Sequence, residues 1–305
     1  MPENGYAWWY IDGVSHDGQF GITLIAFIGS VFSPYYKSAR KSGFVNPENY
    51  CAINVALYGV RGKRWAMTER STPMLTRTRN DFALGPSNLT WDGTTLTADI
   101  TETAFPLISP VRGRIRVTPK IMPARSFALD DAGCHVWQPI VPMADIEVEM
   151  NAPSLSWRGH GYVDHNRGLE PIEDGFAAWE WARMQGKDRS LIHFDMQPRQ
   201  SSLQHLALSF YQDGRIDTFE APERKPLRRG FWGMSRVTRS QSEAKLLRTF
   251  EDAPFYTRNM VGAQIDGEAM TGVHESLSLD KFSSPIVQKM LPFRMPRAGA
   301  SRRFF

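Results

Sequence analysis

Apolar and polar residues alternate with a period of two over much of the chain. Ile146-Glu-Val148-Glu-Met150, Leu96-Thr-Ala98-Asp-Ile100, Trp179-Glu-Trp181-Ala-Arg183 and Leu206-Ala-Leu208-Ser-Phe210 each send successive side chains to opposite faces, the pattern of half-buried strands. Between such runs stand Asp12-Gly13, Asp17-Gly18, Asp92-Gly93, Asp213-Gly214 and Asp266-Gly267. Asp-Gly tolerates the positive φ that tight hairpins demand, so each pair predicts a turn between antiparallel strands. Helical periodicity is weak, best around Pro285 to Leu291 and weaker near Pro47 to Tyr50. The longest apolar stretch, Phe20 to Phe32, is about 13 residues against the roughly 20 of a spanning helix, which argues against a transmembrane helix.

The fold class expected is therefore all-β, antiparallel, with few short helices. A hairpin-rich chain must hide its strand edges, and closure into barrels does so. With 305 residues, two barrels in tandem absorb the length, and the strand count places a boundary near Pro153, giving domains 1–153 and 154–305. Mouths of barrels and clefts between domains are where pockets form.

Apolar residues at 42%, with aromatics at 12%, supply an ample core. The start Met1-Pro2-Glu3-Asn4 lacks the basic-then-apolar pattern of a secretory leader, so an intracellular protein is expected. Two cysteines, Cys51 and Cys134, give neither a disulfide framework nor metal-ligand spacing. A net charge of +4 is spread through the chain, which argues against nucleic-acid binding. The exception is the tail, where Arg294, Arg297, Arg302 and Arg303 mix with Phe293, Phe304 and Phe305, a combination suited either to a solvated terminus or to an anionic lipid surface.

Chemistry concentrates in one segment, Trp157-Arg-Gly-His160-Gly-Tyr162-Val-Asp164-His165-Asn166-Arg167-Gly168. If it is extended, His160, Tyr162 and Asp164 share one face and His165 takes the other. A carboxyl beside a phenol and an imidazole can move a proton. Cys134-His135-Val136-Trp137 places a second imidazole and an indole on one face, a weak signal alone. No phosphate loop, dinucleotide fingerprint or His-Glu-x-x-His helix occurs, and no Gly-x-Ser-x-Gly. His165 faces away from His160 and Asp164, so a metal shell is not completed, and cofactor-free acid–base chemistry is what survives. The bland alternative makes Tyr162 and Trp137 core residues and Asp164 a turn cap.

Trp8-Trp9-Tyr10-Ile11-Asp12-Gly13, His135-x-Trp137, Gly159-His-Gly-Tyr-Val-Asp-His-Asn-Arg-Gly168, Gly272-Val-His274-Glu275-Ser276-Leu277 and Pro292-Phe-Arg-Met-Pro296 together resemble the carotenoid 1,2-hydratases, over nearly the whole chain. The resemblance implies paired lipocalin-like β-barrels, no cofactor, and addition of water to the terminal 1,2 double bond of acyclic carotenoids such as lycopene and neurosporene. It implies an active-site set of His135, Trp137, Tyr162 and Asp164, with Asp164 as acid. Trp8, Trp9, Phe27 and Trp179 are candidates to line the polyene cavity, and His274 and Glu275 are expected to serve packing or a hydrogen-bond network. In the wider superfamily an aromatic often follows the Asn of Gly-Tyr-x-Asp-His-Asn, whereas Arg167 stands here, leaving the local pocket shape open.

Hydrating such an alkene needs a proton at C2, a tertiary cation at C1 and its capture by water. An aqueous aspartate is ionised at neutral pH, so Asp164 is expected to keep its proton by burial in apolar surroundings. Trp137 and Tyr162 would offer π faces to the cation, and His135 would orient the acid or the water. The substrate's lipid solubility suggests peripheral association with the cytoplasmic side of the inner membrane. A polyene cyclase or pericyclic catalyst of the same superfamily, and a lipocalin-like carrier, remain the alternatives.

Overall fold

A computed structural model of the chain describes residues 1–59 and 63–298, and it is mostly antiparallel strand. The chain forms two compact units, one of Met1–Ala128, Cys134–Pro171 and the chain from Gln288 onward, the other of Leu129–Gly133 and Ile172–Val287.

Among its described residues the first unit holds twelve strands: β1 (Tyr6–Ser15), β2 (Gly21–Ile28), β3 (Cys51–Tyr58), β4 (Arg64–Arg70), β5 (Leu75–Arg77), β6 (Asp81–Leu84), β7 (Ser87–Trp91), β8 (Leu96–Ala104), β9 (Ser109–Ile121), β10 (Phe127–Ala128), β11 (His135–Ala152) and β12 (Ser154–Gly168). They form one sheet in the order β4-β3-β2-β1-β12-β11-β9-β8-β7-β6-β5, with β10 paired to β11. The sheet curls into a nearly closed, lipocalin-like barrel. Arg70 on β4 reaches Glu102 on β8 in a buried bidentate pair at 3.0 and 2.8 Å. Its interior is filled with aliphatic side chains, among them Ile11, Leu24, Val55, Ile115, Val117 and Ile146.

Strands β1, β2 and β3 are buried on both faces. A strand of that kind reads as a continuous apolar run, which explains the stretch around Phe20 to Phe32: it contains β2. Asp17-Gly18, Asp92-Gly93, Asp213-Gly214 and Asp266-Gly267 all turn the chain with glycine at positive φ. Asp12-Gly13 does not. It lies within β1, where Asp12 pairs with Tyr162 and Gly13 with Gly161.

The change of unit also differs from the expected 1–153 and 154–305. Pro153 sits at the tip of the β11–β12 hairpin, whose long strands pair from His135↔Gly168 to Asn151↔Ser154, and that ladder keeps residues 154–171 in the first unit. The chain also returns to the first unit at its end. Arg294 lies over the Trp65 ring at 4.7 Å, Arg297 pairs with Glu69, and the backbone of Glu69 bonds Pro296 and Ala298. Arg294 and Arg297 are thus both engaged within the fold, while Arg302, Arg303, Phe304 and Phe305 lie outside the described residues.

The second unit holds β13 (Phe176–Gln185), β14 (Arg189–Pro198), β15 (Gln204–Tyr211), β16 (Ile216–Thr218), β17 (Arg224–Pro226), β18 (Val237–Arg239), β19 (Lys245–Asp252), β20 (Tyr256–Ile265) and β21 (Glu268–Ser278). Seven of them form a sheet in the order β16-β15-β14-β13-β21-β20-β19, and β17 and β18 make a separate ribbon. Met184, Leu191, Leu227, Val261 and Met270 fill its core. His274 bonds the Val237 carbonyl at 2.9 Å and lies 3.2 Å from Glu180, and Glu275 pairs with Arg258, the network role expected of both. Short helices cover Pro34–Arg40, Ile172–Gly175, Leu279–Phe282 and Pro285–Arg294, with a 3-10 turn at Pro47–Asn49. Among the described residues no helix is long and apolar enough to cross a membrane.

Candidate active site

Strand register assembles the site. On β12 the residues with even numbers, His160 through Gly168, face away from the barrel interior, together with Tyr6, Trp8, Tyr10 and Asp12 on β1. Cross-strand pairs make rows on this face: Phe27, Trp8, Asn166 and Trp137 form one, Ile25, Tyr10 and Asp164 the next, and Thr23, Asp12 and Tyr162 the third. Although it lies opposite the packed interior, the face is buried. Trp137, Tyr162 and Asp12 have no exposed surface, and Asp164 retains 5%.

Asp164 is the hub. Its Oδ2 accepts from the Trp137 indole Nε1 at 3.0 Å and from the Tyr162 hydroxyl at 2.8 Å, and its Oδ1 accepts from the Asn166 amide Nδ2 at 3.1 Å. Tyr162 and Asn166 are the residues two before and two after Asp164 on the same strand, so alternation brings both beside it. Trp137 arrives from β11 in the row of Asn166. An indole can only donate, whereas a phenol donates or accepts. A proton on Oδ2 therefore finds an acceptor in Tyr162, and once it has left, the carboxylate is met by three donors. Tyr10 closes one side, its ring 6.1 Å from that of Tyr162, and Phe127 lies 5.6 Å from Trp137.

His135 is placed by a second pairing. Its Nδ1 lies 2.8 Å from the Tyr6 hydroxyl and its Nε2 lies 3.3 Å from Glu170. Tyr6, Gly168 and His135 are cross-strand partners in one row, and the missing side chain of Gly168 is what lets the outer two meet: a Cβ there would fall 2.3 Å from the Tyr6 ring and 2.8 Å from His135 Nδ1. Tyr6 stacks in turn on Trp8, ring centroids 5.0 Å apart.

Of the residues expected at the site, His135, Trp137, Tyr162 and Asp164 share the buried face, as do Trp8 and Phe27, whose rings lie 6.0 Å apart. Trp9 does not. It points into the barrel interior with ring contacts to Phe82 and His165, because an odd position on β1 faces the other way. Trp179 belongs to the second unit, where it packs on Phe176 and Phe194. His160 shares the face but stands at its far end, edge-on to His16. His165 turns inward, and its burial, helped by the Arg167 charge, lowers its pKa to about 4. Arg167 lies on His165's side of the strand, is exposed, and so does not line the face of Asp164. Sequence reasoning missed Asn166, Tyr6, Glu170 and Asp12. Asn166 was within reach of the alternation argument, since it is two residues from Asp164; the others depend on pairings more than 30 residues apart in sequence.

Residues 24–304 match the family of carotenoid hydratase CrtC. An acyclic carotenoid 1,2-hydratase of Thiocapsa roseopersicina is 50% identical over 98% of this chain and 75% of its own length. One of Rubrivivax gelatinosus is 44% identical over 97% of this chain and 74% of its own length. Among solved structures, an AttH protein of Nitrosomonas europaea superposes with a TM-score of 0.58 at 15% identity, covering 89% of this chain and 92% of that one, a likeness of fold alone. A profile match of that extent, with relatives so similar along almost the entire sequence, makes this chain a member of the CrtC carotenoid hydratase family.

Proposed function

We propose that the chain is a cofactor-independent hydro-lyase that adds water across the terminal 1,2 double bond of acyclic carotenoids such as lycopene and neurosporene, with Asp164 as the acid. The observation that carries this reading is the Asp164 hub: a buried carboxyl, surrounded by aromatic rings, with donors already aimed at both oxygens. The names of the relatives supply the reaction class.

Protonation of C2 by Asp164 leaves a tertiary cation at C1 and a carboxylate. The Trp137, Tyr162 and Asn166 donors are in place before the charge develops, so no reorganisation is needed as the proton departs, the same economy as an oxyanion hole. Removing one such donor typically costs about 3 kcal/mol of barrier. The aromatic faces of Trp137, Tyr162 and Tyr10 can stabilise the cation by about 2 kcal/mol when water is excluded, without trapping it covalently. His135, held by Tyr6 and Glu170, fixes that end of the face. Water then adds at C1 to give the tertiary alcohol.

Because the polyene dissolves in lipid, we place the enzyme at the cytoplasmic face of the inner membrane. A turn in the second unit supports this: Phe231 and Trp232 are exposed beside Arg228 and Arg229.

Incubation of the purified protein with micellar neurosporene in heavy-oxygen water tests the activity. Label in a new tertiary hydroxyl is the expected result. An unlabelled isomer would make the chain a cyclase, and an unchanged ligand a carrier.

A further inference from the structure

Hydration needs a group to take a proton as well as one to give it, and the face that carries Asp164 carries a second buried carboxylate. Asp12 is fully buried on β1, directly opposite Tyr162 and diagonal to Asp164, whose own partner is Tyr10. Diagonal neighbours across antiparallel strands stand roughly 7–8 Å apart. Two carboxyls on neighbouring strands of one face can divide the work of acid and base, as those of inverting glycosidases do.

A second observation marks the water's place. The other neighbour of Asp12 in its row is Thr23 on β2, which is buried, and its hydroxyl has no hydrogen-bond partner. The next residue across the sheet is Ala56, whose methyl offers the hydroxyl no hydrogen-bond partner. A buried hydroxyl without a partner costs about 1–3 kcal/mol, and a bound water that bonds both the hydroxyl and the carboxylate removes that cost.

We infer that Asp12 and Thr23 hold the attacking water and that Asp12 is the catalytic base that deprotonates it. This rests on the hydration reading above. In the step, the alkene π pair takes the Asp164 proton to form C2–H, a lone pair of the water oxygen forms C1–O, and one water proton passes to the Asp12 carboxylate. Return of that proton from Asp12 to Asp164 restores both groups, and the balance is alkene plus water to alcohol.

The test uses the full chain in heavy water with micellar neurosporene, following both the alcohol and deuterium in the recovered alkene. In Asp12→Asn the acid is intact, so the cation still forms but reverts. Hydration is expected to fall by about 100-fold or more, while deuterium exchange at C2 of recovered neurosporene persists. Asp164→Asn should lose both. The Thr23→Val variant, which changes little in shape, should lower kcat about tenfold with KM unchanged, and Thr23→Ser should restore it. Hydration by Asp12→Asn within about twofold of wild type, loss of exchange and hydration in equal proportion, or an unaffected Thr23→Val would overturn the assignment. Hydration surviving in Asp164→Asn would instead overturn the acid, and absence of alcohol from the wild-type protein the hydratase reading itself. If Asp12→Asn does not fold, the Thr23 pair decides.

Discussion

Tyr6 and His135 touch across an empty position: the phenol oxygen and the imidazole Nδ1 are 2.8 Å apart, with Gly168 the residue that stands between their strands. Gly168→Ala would drive a methyl into both rings, since the nearest atoms lie at 2.3 and 2.8 Å. Overpacking of this kind costs about 1–3 kcal/mol. Urea unfolding should show that loss. Turnover should fall as well, because His135 is displaced two residues before Trp137 on the same face of β11, whereas a purely local strain would lower the unfolding midpoint and leave kcat intact.

The donors around Asp164 give a graded prediction. Trp137→Phe removes one hydrogen bond to Oδ2 and keeps an aromatic face, and Tyr162→Phe removes the other. A hydrogen bond to a charged group is worth about 1.5–3 kcal/mol. Each variant should therefore lower kcat by about 10- to 150-fold with little change in KM, because the bond strengthens as the carboxylate forms and not when the polyene binds. Asn166→Asp should be more damaging than either, since it replaces a donor to Oδ1 by a second carboxylate. Steady-state kinetics on the three variants checks the order.

The face that carries Asp164 and its principal partners were legible because they obey one strand's alternation: Tyr162, Asp164 and Asn166 are consecutive even positions, and His135 and Trp137 repeat the rule on β11. What register decides was not legible. Trp8 and Trp9 are adjacent and equally aromatic, yet only Trp8 lies on the face of Asp164; nothing in the local pattern separates them, because β1 is buried on both sides. For the same reason Asp12-Gly13 reads as a hairpin turn although it is strand. The signal that would have corrected it is the run of β-favouring residues from Trp8 to Ile11, too short to end there against the roughly 5–6 residues of a typical strand and followed by a better turn at Asp17-Gly18. The boundary at Pro153 failed on similar grounds: a proline in a hairpin tip and one in a linker look alike in sequence.

His165 makes stability depend on pH from the opposite face. Its pKa is about 4 in the fold, lowered first by burial and then by Arg167, against about 6.5 when unfolded. The fold thus favours the neutral ring. The contribution is fully present above pH 6.5 and is lost as pH falls from there through about 4, amounting to about 3 kcal/mol. His193 in the second unit, lowered to about 3, adds to the same acid limb. His165→Gln should show a shallower fall in unfolding free energy between pH 6.5 and 4 than the wild type, with no change in the pH–rate profile at neutral pH. A parallel fall in the two proteins would mean that the ring is not desolvated as described.

The turn at Phe231 and Trp232 carries the prediction about lipid. Phe231 is 88% exposed and Trp232 46%, their rings edge to face at 5.5 Å. Their setting is ordered. Asp252 accepts from the Phe231 amide at 2.7 Å and pairs with Arg236 at 2.9 Å, and Lys281 bonds the Trp232 carbonyl at 2.9 Å. A fold that holds two aromatic rings in water on a braced turn, with Arg228 and Arg229 exposed beside them, matches the mix that anchors proteins at bilayer interfaces: rings at the headgroup level, cations on anionic lipid at about 1 kcal/mol each. Phe231→Ser with Trp232→Ser should abolish co-sedimentation with phosphatidylglycerol vesicles, and the wild-type protein should bind phosphatidylcholine vesicles far less. Turnover of vesicle-embedded neurosporene should fall in the double variant while turnover of the detergent-solubilised polyene stays unchanged, the outcome expected of a turn that serves bilayer contact alone. Equal sedimentation of the two proteins would show that another surface meets the lipid.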